Sequence, residues 1–194
     1  MKVNKNAGRP LGSKRKSRIF NEVEFRQVIK SITNSRLSSN IERNITLIYF
    51  NYYLGLKGIE LCRLKLDDVY DGKKILNGIR IIKPKHRIVA LNNPQLKGAL
   101  DSYIKSRVEK ESASFSIHSD LFKSQKGSYS PQSLNRLINT IYKDAGLSCV
   151  TSHSGKLSFM HHKFNHGFSL EQVHDLTGNV HINTTRVLLV GLGG

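Results

Sequence analysis

A chain of 194 residues is long enough for one domain with a full hydrophobic core plus a short extension, and too short for two well-packed domains of ordinary size. Its 31 lysines and arginines against 14 acidic residues give a formal charge of +17, far more than solubility requires, and such a field attracts a polyanion, nucleic acid first. No run of about 18 apolar residues and no leader pattern of a basic start before an apolar block accompanies that charge, which disfavours a membrane and leads us to expect a cytoplasmic, nucleoid-associated bacterial protein.

Residues 1 to 19 carry Lys2, Lys5, Arg9, Lys14, Arg15, Lys16 and Arg18, no acidic residue and almost nothing apolar, so a disordered basic arm is expected there. Within it Gly8-Arg9-Pro10 resembles the core of AT-hook peptides, which insert arginine into the narrow minor groove of A/T-rich DNA, although Ala7 stands where such hooks carry a second arginine. A plain basic tail resting on phosphates is the other reading of Arg9, Lys14, Arg15 and Lys16. Order is expected from Phe20 onward. Asn21 can cap a helix, Glu24 can return the bond, and Phe20 can staple onto Phe25.

A second helix is expected from about Ile41 to Leu54, with Ile41, Ile45, Ile48 and Tyr52 on one face and Gly55 ending it. A third spans Gly58 to Leu64. The β-branched runs 79–82 and 87–91 around Lys83-Pro84-Lys85-His86 predict a hairpin with a basic tip. Further helices are expected at Pro94 to Lys110, Pro131 to Asp144, Lys156 to Asn165 and Leu170 to Leu176, the last three ended by Gly146, Gly167 and Gly178. Residues 191–194 read as a flexible tail. The fold class is therefore mainly α with a small antiparallel β-sheet (α+β). Cys62 and Cys149 lie far apart, without metal-ligand spacing, and each reads as a small buried hydrophobe.

Three separated motifs keep their order and spacing. Gly55-Leu56-Lys57-Gly58-Ile59-Glu60-Leu61 followed by Asp67-Asp68-Val69 resembles the first signature of tyrosine recombinases (phage integrases), a Gly-Leu-Arg-x-x-Glu-Leu turn into a helix. His153-Ser154-Gly155-Lys156-Leu157-Ser158-Phe159 resembles the family's His-x-Leu-Arg-His-x-Phe. Leu176-Thr177-Gly178-Asn179 with Thr184-Thr185-Arg186-Val187-Leu188 resembles its Leu-Leu-Gly-His and Thr-Thr-x-x-Tyr. The resemblance covers residues 20 to 190 and implies the catalytic-domain fold of that family, without the amino-terminal domain that closes a clamp on the duplex.

In that family two arginines grip the scissile phosphate, a hairpin lysine and histidines assist proton transfer, and a tyrosine attacks phosphorus. The resemblance puts Leu188 at the tyrosine position, and a hydrocarbon supplies no nucleophilic oxygen. Both arginine positions hold lysine, Lys57 and Lys156, which keeps charge but loses the planar fork. Asn179 replaces a histidine and cannot carry a proton at neutral pH. His153 is retained, either as a phosphate contact or as a helix cap, and Lys83 or Lys85 stands for the hairpin lysine.

These substitutions imply grip without cleavage, hence no catalytic residues, no cofactor and no metal. His161, His162 and His166 lack the glutamate of an HExxH zinc pattern. Expected backbone contacts to double-stranded DNA are Lys57, Lys83, Lys85, Arg87, His153, Lys156 and Asn179. Base readout is expected from the 131–144 helix through Gln132, Asn135, Arg136 and Asn139. A transcriptional regulator from a mobile element is the first expectation, an accessory or architectural factor the second, an active recombinase the third. The apolar stretch Val187-Leu188-Leu189-Val190 fits either self-association or packing onto the chain's own core.

Overall fold

The computed structural model describes residues 17–35, 40–82 and 85–191. Helix α1 (Glu22–Asn34) starts as expected: Asn21 Oδ1 accepts the Glu24 amide at 3.0 Å, and Glu24 Oε2 accepts the Asn21 amide at 3.1 Å. Phe20 and Phe25 both pack against the Tyr52 ring, with centroids 4.9 and 4.5 Å away. The packed unit begins earlier than the sequence suggested. Ser17 bonds Thr151 through its hydroxyl, the Arg18 amide donates to Cys149 O, and the Arg18 guanidinium pairs with Glu24 at 2.6 Å. Residues 17–19 thus belong to the domain, while Arg9, Lys14, Arg15 and Lys16 lie outside the described residues.

Helix α2 (Ile41–Tyr53) is the centre of the molecule, with α1, α4, α5 and α6 all packed against it. A helix covered on most sides must bury its polar positions too, and Arg43, Asn44, Thr46 and Asn51 are buried beside Leu47, Ile48 and Phe50. Gly55, at φ +61°, turns the chain out of it into α3 (Gly58–Leu61), shorter than the expected 58–64.

Strands β1 (Gly78–Ile81) and β2 (Arg87–Ala90) form the expected antiparallel hairpin, pairing Ile79 with Val89 and Ile81 with Arg87. Ile79, Ile81, Val89 and Arg87 face inward, whereas Arg80 and Ile88 face solvent. Helix α4 (Pro94–Glu111) follows, then a two-residue pair, β3 (Lys123–Ser124) and β4 (Gly127–Ser128), which the sequence reading did not contain.

Helix α5 (Pro131–Asp144) has its expected bounds. Helix α6 (Ser152–Asn165) starts four residues before the expected Lys156, because Thr151 and Ser154 form a capping box at its head. Helix α7 (Leu170–Thr177) ends on Gly178 in the left-handed region at φ +60°. Helix α8 (Ile182–Val190), not assigned as a helix from sequence, carries the 184–188 motif. Cys149 is exposed and Cys62 half-buried, and both are free thiols, which corrects the expectation of two buried hydrophobes. No helix among the described residues is long and apolar enough to cross a membrane.

Candidate nucleic-acid interface

One buried side chain, that of Asn51, places the basic residues. Asn51 Nδ2 donates to Leu56 O and to Ser152 O, each at 3.0 Å, while Asn51 Oδ1 accepts from Tyr142 Oη at 2.7 Å. One amide thereby fixes the loop ahead of Lys57 and the head of α6 ahead of Lys156. Gly155 permits the approach: a Cβ there would come within 2.2 Å of Asn51 Oδ1 and 2.6 Å of Asn51 O.

Lys156 is 1% exposed, on the inner side of α6. Its ammonium donates to Asn179 Oδ1, Asn179 Nδ2 donates to Thr185 Oγ1 at 2.9 Å, and His174 Nδ1 lies 3.2 Å from that hydroxyl. The far nitrogen of His174 meets Lys85 Nζ at 3.3 Å, so a chain of polar contacts runs from the hairpin to α6. Burial, then the charge of Lys57, push the Lys156 pKa down to about 6. A lysine buried without a carboxylate of its own is costly while charged.

Arg87 is buried rather than presented to solvent. Its Nη1 donates to Glu60 Oε1 at 2.6 Å, and Glu60 Oε2 accepts the Lys57 amide at 2.8 Å. Both Glu60 oxygens are therefore committed, one to the Arg87 guanidinium and one to the Lys57 backbone amide, and Lys156 lies near enough to feel the Glu60 charge. Gly178 lies over the guanidinium so closely that a Cβ would come within 2.2 Å of Nη1.

His153 is exposed at the second position of α6, its amide held by Thr151 Oγ1 at 3.3 Å. Packing around the ring, then Lys156 and Lys57, lower its pKa from the ordinary histidine value. Lys85 also reaches Asp175 at 3.0 Å, and Lys83 lies outside the described residues. Lys57, Arg87, Lys156 and Asn179 are thus brought together, with His153 and Lys85 alongside.

On α5, Gln132 and Arg136 stand exposed one turn apart. Asn135 packs onto Gly58, and Asn139 Oδ1 accepts the Ser152 amide at 2.6 Å, so these two serve the fold as well as the face. Leu188, half-buried, sits one turn beyond Thr185 on α8. Val187 and Val190 are 70% and 73% exposed. His162 and His166 stack with centroids 4.0 Å apart on the outer part of α6 and the turn after it. Sequence reasoning missed the roles of Asn51, Glu60, His174 and Thr185.

Comparison with known proteins agrees with this geometry. The model of the phage integrase family matches residues 19–188. Tyrosine recombinase XerC of Halalkalibacterium halodurans is 29% identical over 185 residues, covering 92% of this chain and 59% of its own length. Tyrosine recombinase XerA of Pyrococcus horikoshii is 25% identical over 163 residues, covering 81% and 55%. This chain therefore spans just over half the length of these relatives. The crystal structure of XerA recombinase superposes with a TM-score of 0.72 at 23% identity, covering 89% of this chain and 60% of that one. The XerH site-specific recombinase bound to palindromic difH substrate, in a post-cleavage complex, superposes at 0.71 and 22% identity, covering 95% and 52%. The chain belongs to the phage integrase family, and its fold is that of the tyrosine recombinase catalytic domain.

Proposed function

We propose that this protein binds duplex DNA without cutting it, as a catalytically inactive tyrosine recombinase homologue that acts as a transcriptional regulator derived from a mobile element. The observation that carries the proposal is the pairing of a largely buried basic cluster, Lys57, Arg87 and Lys156 near the carboxylate of Glu60, with a hydrocarbon, Leu188, where the family motif has its tyrosine. The seven tyrosines all have other places in the fold. Tyr49, Tyr52 and Tyr53 form an aromatic group with Phe25, Tyr70 and Tyr103 bond the carbonyls of Gly72 and Leu121, Tyr129 lies under Arg43, and Tyr142 is buried on Asn51. The nearer hydroxyl, that of Thr185, is fully buried and accepts a hydrogen bond from Asn179, which supports this reading.

Support for DNA as the partner comes from the +17 charge and from structural neighbours that are recombinases bound to DNA. Lys57, Lys85, His153 and Lys156 would hold the backbone, and Gln132 and Arg136 would face the groove. Genomic footprinting in the native cell tests the regulator. Protection of one operator, with unrelated duplex competing weakly, is expected; even protection of unrelated sequences would instead point to an accessory or architectural factor. An active recombinase has the names of the relatives in its favour, and a protein-linked DNA end would establish it.

A further inference from the structure

Among the described residues, the only buried side-chain nitrogens or oxygens without a hydrogen-bond partner are Nε and Nη2 of Arg87. Buried polar groups are nearly always satisfied, so these two donors are open to a bound acceptor. The pair has a geometry of its own. Nε–H and Nη2–H point the same way from one edge of the guanidinium and form the side-on fork that takes two oxygens of a single oxyanion. Nη1, on the other side, is held by Glu60 at 2.6 Å, which fixes the fork in place. Since the second Glu60 oxygen is spent on the Lys57 amide, no protein carboxylate is left to fill it.

The surroundings choose among oxyanions. Lys156 feels the charges of both Lys57 and Arg87, with Glu60 alone opposing them. A carboxylate would satisfy the fork and leave both ammonium groups unanswered, whereas a tetrahedral phosphate offers oxygens to all three cations. We infer that the Nε/Nη2 edge of Arg87 is a bidentate phosphate seat, flanked by Lys57 and Lys156, which supplies from strand β2 the guanidinium fork missing at both arginine positions of the family motif. The natural source of the phosphate, a DNA phosphodiester, rests on the function proposed above; the seat itself does not. The two nitrogens are shielded from solvent in the free protein.

The test is side-chain NMR of the whole chain, following the Arg87 Nε–H resonance, assigned through bonds in the wild-type protein so that no variant has to fold. Inorganic phosphate is titrated first, with chloride at matched ionic strength as control, and a short duplex is then titrated in phosphate-free buffer. Both phosphate and duplex are expected to shift the resonance to saturation, and chloride to leave it in place. In Arg87→Lys, which keeps a cation beside Glu60, phosphate affinity is expected to fall by about tenfold or more. A duplex that binds while neither titrant moves the resonance overturns the seat and spares DNA binding. A shift with phosphate and no duplex binding keeps the seat and removes DNA as its source. A shift with phosphate but none with bound duplex assigns the seat to the free ion, and an equal shift with chloride overturns it.

Discussion

Lys156 is an ammonium group with almost no solvent exposure, whose hydrogen-bond partner is the Asn179 amide oxygen, and its pKa near 6 records the cost. In the unfolded chain the same group titrates near about 10.4. Between those two values the unfolded state binds more proton, so the stability of the free protein rises with pH across this window. Denaturation at several pH values should show that rise in the wild type and a flatter profile in Lys156→Met. Phosphate binding carries the opposite sign, because an entering anion favours the charged form. Duplex affinity is therefore expected to fall as pH increases above about 6, by at most about tenfold per pH unit for one proton, and Lys156→Met should blunt this dependence. His153 and His174, each lowered from the ordinary histidine value by desolvation and by neighbouring lysines, are mostly neutral at pH 7 and add little above it. Glu60 is the other residue whose loss is decisive. Glu60→Ala strands the buried Arg87 charge and is expected to cost about 3–5 kcal/mol in chemical denaturation.

At the scale of elements, the close crossing of α2 and α6 helps set the distance between Lys57 and Lys156. Gly155→Ala drives a methyl group against Asn51 backbone and side chain, and the overpacked helix pair should lose about 1–3 kcal/mol or more. Duplex affinity is expected to fall with it, because Lys156 follows directly on that contact; unchanged stability and affinity would show that the crossing is loose. Most elements were legible in the sequence because their ends carry local chemistry: the Asn21–Glu24 box, Pro131 at the start of α5, and Gly178 after α7. The head of α6 was misjudged because its signal is a threonine–serine box ahead of a mainly polar run. β3 and β4 were missed because two residues each give no alternation to read. The burial of Arg87 was not read from the sequence, although it sits two and four residues before Val89 and Leu91, both buried, and that parity was the available signal. Its burial depends on Glu60, a partner 27 residues away that no local pattern reveals. Asn51 escaped notice for the same reason: its partners, Ser152 and Tyr142, are distant in the chain.

For the whole molecule, the excess of basic over acidic residues implies that association with a duplex releases counterions and weakens steeply with salt. Lys57→Ala, which removes one cation at the half-buried edge of the cluster, should lower the slope of log affinity against log salt by about 1 while leaving sequence preference alone. A slope unchanged by that variant would place Lys57 off the DNA. Leu188 makes the stronger demand, since chemistry at phosphorus needs an oxygen that can attack and leave. The most direct measurement incubates the protein with a pool of randomised duplexes at low salt and divides each sample between a native gel and a denaturing one. Retarded duplex on the native gel with no protein-linked DNA on the denaturing gel is the expected result. A covalent adduct that survives denaturation, or duplex that is not retarded at all, would contradict a protein that grips DNA and leaves it whole.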